Sequence, residues 1–509
     1  MKKTLLPLGL LFIAGAAFCQ VNLSGKITGA SKRDSIQVNV PFNGYCWKGN
    51  AFIVKPNAAG NFRLLLPYHK PVLAVLNYGA TAQTILLSPG RSLIISGNKT
   101  SYIFSGTAAP ENTLLKRLNI NEPDSLLFIK EIKKSGSKSY VRWRMDSIFR
   151  IKLPAIRKSL DSTQKIVSKA AIPQSLKTII HDEVKYMYAY ALADKLGGWL
   201  NVRKNVKEFN LQFIDTVSNT FALPTKQQLD NSISANLYLE NYFRFKMWKP
   251  MYQFKASTDK AHAEDILKDA WGITIKDIQN DPDNGNERYL FATHLKTVLP
   301  AYAWEKLLAN EVDFFCMESQ LVAADKMLNF IKINTPDNPH LADCERIIAP
   351  LKKQREKYAS NLNIKIRADY KSINSMQQLL APYKGKVVLI DMWGTWCPHC
   401  IEDMAYEPAL KKHFENKDVV FLYLANDEDN NDEKWRDFIF INNLTGQHVR
   451  RTTQQIAPMW NELGIKDSDQ GYPHYVIVGK EGNVLANTAK RPGNDGGLIE
   501  QIESALNKR

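Results

Sequence analysis

Cysteine is scarce in this chain, with six in 509 residues, and that scarcity excludes a disulfide-stapled scaffold. Cys46, Cys316 and Cys344 stand alone in unrelated contexts. Cys316 and Cys344 lie in sequence of helical character; they could pair, and buried thiols are the more ordinary outcome at such positions. Beyond the first twenty positions there is no run of about 18 uncharged apolar residues, so no transmembrane helix is expected there. Blocks of like charge are also missing. The net charge of +16 is spread along the chain, which reads as a solvated basic surface and not as a nucleic-acid-binding stripe. There is no second Cys-x-x-Cys and no His pair at zinc-finger spacing, so a structural zinc site would lack its four ligands. Position 401 is Ile, where covalent haem attachment requires His. The sequence therefore calls for no metal and no organic cofactor. An apolar content of 44% excludes wholesale disorder and gives room for two to four domains.

What is present begins with an export signal. Lys2 and Lys3 supply a charged start, Leu5 to Ala14 an apolar stretch, and Ala16-Ala17-Phe18-Cys19-Gln20 a small-residue exit. The expectation is a signal peptide over 1–19, cleaved to leave Gln20 first, and a protein of the periplasm or cell envelope. Lipidation of Cys19 is the less favoured alternative, because Phe18 stands where lipoprotein processing wants a small residue. Membrane attachment would come only through that cysteine, and nucleic acid is not an expected partner.

Three stretches of different character follow. Residues 20–107 alternate short β-type runs with turns, as in Val21 to Ile27, Ala59-Gly60-Asn61-Phe62-Arg63-Leu64, Pro71 to Val75 and Leu93 to Ile95, which predicts a small antiparallel β-sandwich. Residues 108–362 carry long helical periodicity with little Gly, as in Ser175 to Lys195 and Ala301 to Ile333, interrupted by loops such as Asp281-Pro282-Asp283-Asn284-Gly285. No repeat is evident there. Residues 363–509 switch to β/α alternation. The pattern predicts strands at 386–391, 419–424, 474–478 and 483–487, with helices at 398–414, near 432–442, near 455–463 and at 496–507. The turn Lys480-Glu481-Gly482-Asn483 joins the last two strands as a hairpin. A parallel βαβ half, an antiparallel hairpin and a closing helix make a thioredoxin-like α/β order.

Within this last stretch, Trp393-Gly394-Thr395-Trp396-Cys397-Pro398-His399-Cys400 follows the apolar strand Lys386-Val387-Val388-Leu389-Ile390-Asp391 and precedes helical sequence. That places two cysteines at a helix N-terminus. Unpaired backbone N–H groups and the positive dipole end favour a thiolate there, so the pattern points to thiol–disulfide chemistry. The peroxiredoxin arrangement Pro-x-x-x-Thr-x-x-Cys is absent before Cys397.

Gly385 to Cys400, together with Gly471-Tyr472-Pro473-His474-Tyr475-Val476-Ile477-Val478 and Gly482, resembles the TlpA-like (ResA-like) thioredoxin-fold oxidoreductases of exported bacterial proteins. The resemblance covers about 140 residues. Upstream, Gly60-Asn61-Phe62 and Ser88-Pro89-Gly90 are similar to the accessory portion that precedes such a domain in many exported Bacteroidetes-type proteins. The chain departs from the family in two places. Its Pro398-His399 dipeptide is of the DsbA kind, and its helix-kinking proline falls late, at Pro408.

The resemblance implies roles residue by residue. Cys397 is the exposed nucleophile that attacks a protein disulfide, and Cys400, one turn deeper, resolves the mixed disulfide by pairing with Cys397. An imidazolium at His399 within reach of the Cys397 sulfur would raise the reduction potential. Asp391 takes the place of the buried acid of thioredoxins and would relay a proton from Cys400. Asp403 falls where many relatives carry a Glu near the site, and it also reads as a first-turn carboxylate favoured by the dipole. Pro473 takes the place of a cis-proline facing the cysteines, leaving the backbone at Tyr472 free to pair with a peptide. Trp396 would line the substrate surface, while Trp393 reads as a core aromatic.

The family favours an envelope reductase, as in cytochrome c maturation, that acts on protein thiols and disulfides and exchanges electrons with a membrane thiol–disulfide carrier. The Pro-His dipeptide favours an oxidase or isomerase. From a different class, the helical region would make the chain an envelope scaffold with a minor redox role.

Overall fold

The computed structural model describes residues 21–30, 34–78, 81–98, 100–118, 150–151, 153–202, 207–274, 276, 287–466, 469–493 and 496–508. The candidate signal peptide 1–19 with Cys19, and the loop 281–285, lie outside the described residues. The chain divides into two compact units. One runs to Asp281 and adds Leu290–Asn310; the other comprises Pro282–Tyr289 and Glu311–Arg509. Among the described residues no helix is long and apolar enough to cross a membrane.

The first unit opens with eight short strands: β1 (Val21–Ile27), β2 (Ile36–Asn39), β3 (Ala51–Val54), β4 (Asn61–Leu66), β5 (Val72–Tyr78), β6 (Thr81–Leu87), β7 (Ser92–Gly97) and β8 (Tyr102–Ser105). They form two four-stranded sheets, ordered β4-β1-β7-β8 and β3-β2-β5-β6. Leu23 and Ile95 of the first sheet and Val38, Leu76 and Ile85 of the second share one apolar core, which makes the pair a sandwich. One pairing departs from the antiparallel expectation: β1 runs parallel to β7. The helices that follow include Gln174–Val202 and Ile233–Ala256. Both turn aromatic faces inward, and the Tyr186 and Tyr238 rings meet 5.8 Å apart.

The second unit is built on a six-stranded sheet. Its strands are β9 (Ile364–Ile366), β10 (Val387–Trp393), β11 (Val419–Asn426), β12 (Gly446–Arg451), β13 (His474–Val478) and β14 (Val484–Ala486), in the order β14-β13-β10-β11-β12-β9. β10 is parallel to β11 and antiparallel to β13. All seven of its residues are buried, as expected of a central strand covered on both faces. Val388, Ile390 and Met392 pack with Trp435, Phe438 and Trp460 on one side. On the other, Val387 and Leu389 pack with Leu410, Phe414 and Ile502.

The helix expected over 398–414 is three pieces: Pro398–Asp403, a 3₁₀ turn at Met404–Tyr406, and Glu407–His413. Pro408 lacks an N–H, and its ring crowds the carbonyl four residues earlier, so the helix restarts just before it. Two strands, β9 and β12, were not expected from the sequence. The helices Leu321–Asn334 and Leu341–Ala359 dock on Asp432–Ile441. There the buried Asp437 accepts hydrogen bonds from Arg355 Nε and from the Val322 N–H at 3.2 Å. Lys434 pairs with Glu318 at 3.2 Å, and Asn361 donates to Asn443 at 2.7 Å. Cys316 and Cys344 are buried thiols with no disulfide between them.

Candidate active site

The loop leaving β10 is fixed from the neighbouring strand. Asp427, just past the end of β11, accepts hydrogen bonds from the Thr395 N–H (3.0 Å) and hydroxyl (2.6 Å). The Trp396 indole N–H donates to the Asn426 carbonyl at 2.7 Å. A Cβ at Gly394 would lie 2.5 Å from the Trp396 indole nitrogen and 3.0 Å from the Asn426 carbonyl, so only glycine lets that ring fold back over the loop.

Cys397 caps the helix Pro398–Asp403, its sulfur accepting the Cys400 N–H at 3.2 Å, and Pro398 takes the first helical position. The two cysteines are joined as a disulfide, with Cα atoms 5.3 Å apart. The expected exposure of Cys397 is not met: it is 4% exposed and Cys400 is fully buried. Its sulfur turns inward to bond Cys400 and packs into the apolar core of this unit. The group that reaches solvent is Trp396, 52% exposed. His399 is exposed, and its Nδ1 lies 3.0 Å from Glu402 Oε2. The imidazole thus pairs with a carboxylate, where the sequence suggested the Cys397 sulfur.

The Tyr472–Pro473 bond is cis. Because His474 pairs with Met392 in the sheet, this loop lies beside the end of β10. The Tyr472 ring meets Trp396 edge-on at 5.2 Å and Trp460 at 5.5 Å, and its hydroxyl accepts from Asn426 Nδ2 at 2.9 Å.

Behind the cysteines lies a buried acidic network. Asp391 on β10 is 3% exposed, and neither of its oxygens has a hydrogen-bond partner. Burial raises its carboxyl well above the usual range, the charges of Glu407 and Asp403 push the same way, and Lys411 and Tyr475 offset part of this. Asp403 is held by Arg491, with Nε on Oδ2 and Nη2 on Oδ1, both at 2.8 Å. Tyr475 also donates to Asp403, at 3.2 Å. Glu407, equally buried, pairs with Lys411 Nζ at 2.9 Å and accepts from the Tyr423 hydroxyl. Burial raises its carboxyl too, against the pull of Lys411. Asp391, Glu407, Tyr423 and Tyr475 all line one small cavity of about 10 Å³, room for about one water molecule. Among the described residues no group of His, Cys, Asp and Glu is placed to hold a metal ion.

The structure thus brings Cys397, Cys400, Trp396 and Tyr472 to one end of the sheet, with Pro398 and Pro473 shaping the two loops. Sequence reading missed Asn426, Asp427, Trp460, Glu407, Tyr423, Tyr475 and Arg491. Tyr423 and Tyr475 face Asp391 in register on either side, so strand alignment could have found them. Glu407 was marked by the proline after it, whereas Arg491 sits in a loop with no local signal.

A cysteine pair where the central strand meets a helix, a cis-proline loop beside it and a parallel pair extended by an antiparallel hairpin define a thioredoxin fold. Residues 364–498 match the family model described as Redoxin. The chain is similar to "Thiol-disulfide oxidoreductase ResA" of Bacillus thuringiensis subsp. konkukian (strain 97-27) and of Bacillus cereus (strain ATCC 10987 / NRS 248). Each is 39% identical over 49 residues, which is 10% of this chain and 28% of the relative. The match therefore spans less than a third of the curated relatives. Among solved structures, a putative thiol-disulfide oxidoreductase from Bacteroides vulgatus is 27% identical, covering 25% of this chain and 82% of that one, with a TM-score of 0.21. A putative thiol:disulfide interchange protein DsbE from Chlorobium tepidum is 22% identical, covering 25% and 84%, also with a TM-score of 0.21.

Proposed function

We propose that the protein is a thiol–disulfide oxidoreductase that reduces protein disulfides in the cell envelope. The observation that carries this reading is the Cys397–Cys400 disulfide set at the end of β10 beside the Tyr472–Pro473 loop. In the reduced protein the Cys397 thiolate attacks a substrate disulfide, forming a mixed disulfide and releasing one substrate thiolate. Cys400 then attacks the Cys397 sulfur. The Cys397–Cys400 bond forms, the bond to substrate breaks, and the second substrate sulfur leaves with the electron pair. Asp391 takes the proton that Cys400 gives up. The two electrons lost by the cysteines are restored by a membrane thiol–disulfide carrier.

Trp396, Tyr472 and Pro473 form the surface against which the substrate chain lies. Asp403, committed to Arg491, positions the helix that carries Cys400. Reduction is the favoured direction, because the resemblance to TlpA-like proteins favours it and the His399 imidazole lies 3.0 Å from Glu402, away from the role at the Cys397 sulfur that would argue for an oxidase. Both side chains are about two-thirds exposed, so this pair contributes little to stability. The candidate leader, and the resemblance to TlpA-like proteins, support a place in the envelope with a role such as cytochrome c maturation.

Insulin reduction by the full-length protein in dithiothreitol tests this. The wild type should accelerate precipitation of the insulin B chain, Cys397→Ser should fall to the uncatalysed rate, and Cys400→Ser should accumulate a mixed disulfide. A wild type no faster than Cys397→Ser would overturn the proposal.

A further inference from the structure

We infer that Glu407 is a positioning residue whose charge adds to the effect of burial in holding a proton on Asp391 while Cys397 and Cys400 are joined. The inference rests on the reading above, in which Asp391 handles the proton of Cys400.

Three buried carboxyls, Asp391 on β10, Asp403 at the end of the first helical piece and Glu407 at the start of the second, face two cations. Arg491 is bound to Asp403 through two contacts, and Lys411 is bound to Glu407. Asp391 is left with no cation. The remaining polar groups do not supply one. His448 on β12 stacks on Tyr423 at 4.9 Å, its Nε2 lies 2.7 Å from the Leu444 carbonyl, and burial pushes its pKa down to about 3, so it is neutral. The hydroxyls of Tyr423 on β11 and Tyr475 on β13 are committed to Glu407 and Asp403. Neither oxygen of Asp391, which lines the cavity, has a hydrogen-bond partner, and only the nearby Tyr475 hydroxyl and Lys411 ease its charge. A buried carboxylate in that position is far costlier than a neutral acid. The missing positive charge is a proton, and it belongs on Asp391, since Glu407 already has a cation and a hydroxyl on it.

The proton has a use in the cycle. When an electron donor reduces the Cys397–Cys400 disulfide, the bond between the two sulfurs breaks and a thiolate appears on Cys400. Asp391 gives that thiolate its proton and becomes a carboxylate. When Cys400 later attacks Cys397 in the mixed disulfide, the same proton returns to Asp391. One proton is conserved between the two groups, and Glu407 adds to how tightly Asp391 keeps it. Glu407 opens the second helical piece, four residues after Asp403.

The test is a pH titration of Asp391 in oxidised full-length protein labelled with 13Cγ-aspartate, its resonance identified by loss in Asp391→Asn. Glu407→Gln removes the repelling charge and should move the Asp391 midpoint to lower pH. Lys411→Met removes the opposing cation and should move it to higher pH, which keeps the test open if Glu407→Gln does not fold. An Asp391 midpoint unmoved in whichever of these variants folds overturns the inference. Insulin reduction measured on the same wild-type sample separates the two readings. An active wild type with an unmoved midpoint sinks the role of Glu407 alone, whereas a moved midpoint in a protein without activity sinks the proposed function.

Discussion

At the scale of single residues, the most consequential one is an aspartate that weakens the fold. Asp391 is buried with both oxygens unpartnered, and its carboxyl is raised well above the usual range by burial first and by neighbouring acids second. The folded protein therefore holds a proton that the unfolded chain has already released. The stability tied to that proton is complete below the ordinary Asp range near pH 4 and is lost as pH rises through the folded value. Asp391→Asn removes this slope. It should stabilise the protein by at least about 1 kcal/mol at neutral pH, on the scale of an unsatisfied buried polar group. The gain should widen as pH rises from 5 to 9. Urea unfolding across that range checks it, and an Asn variant that is less stable, or equally pH-dependent, would contradict the account. The position of this acid was legible, because an Asp after the apolar run Val387-Val388-Leu389-Ile390, six positions before a Cys-x-x-Cys, is conspicuous. The groups around it were not legible. They come from β11, β13 and the helical pieces that carry Asp403, Glu407 and Lys411, and only the folded chain brings them together.

At the scale of elements, the sequence pattern identified β10, β11, β13 and β14 and missed β9 and β12. β10 and β13 read as buried strands because every side chain in them is hydrophobic or aromatic apart from Asp391 and His474. β12, Gly-Gln-His-Val-Arg-Arg, has no such signature. It is buried because His448 stacks on Tyr423 and Arg450 forms ion pairs with Asp429 and Asp432, contacts that no local pattern announces. The break in the active-site helix was half legible, since Pro408 was noted as late but 398–414 was still read as one helix. The docking of Leu321–Asn334 and Leu341–Ala359 on Asp432–Ile441 also lay beyond the sequence. It turns on Asp437, whose buried carboxylate needs Arg355. Arg355→Ala should cost about 1–3 kcal/mol, the penalty for a buried charge that loses one of its donors. That is below the loss expected for a fully buried pair, since Arg355 itself is 38% exposed. The urea midpoint of the second unit, followed by Trp fluorescence, should fall in this variant. An unchanged midpoint would mean that the ion pair does not hold the helices.

At the scale of the whole molecule, a β-sandwich, a helical middle and a thioredoxin fold were each visible in the change of periodicity along the chain. The compact units are less simple, because Glu311 and the helices after it group with the thioredoxin fold. Assays of the chemistry therefore belong on the full chain and not on a fragment starting near residue 364. The central claim is that the Cys397–Cys400 pair is a redox centre poised for reduction. Its equilibrium reduction potential, titrated in the full-length protein against glutathione and dithiothreitol, tests that claim most directly. The account predicts a two-electron transition that disappears in Cys397→Ser, with a midpoint close to thioredoxin's, about −270 mV. A midpoint near that of DsbA, about −120 mV, or no transition at all, would contradict it.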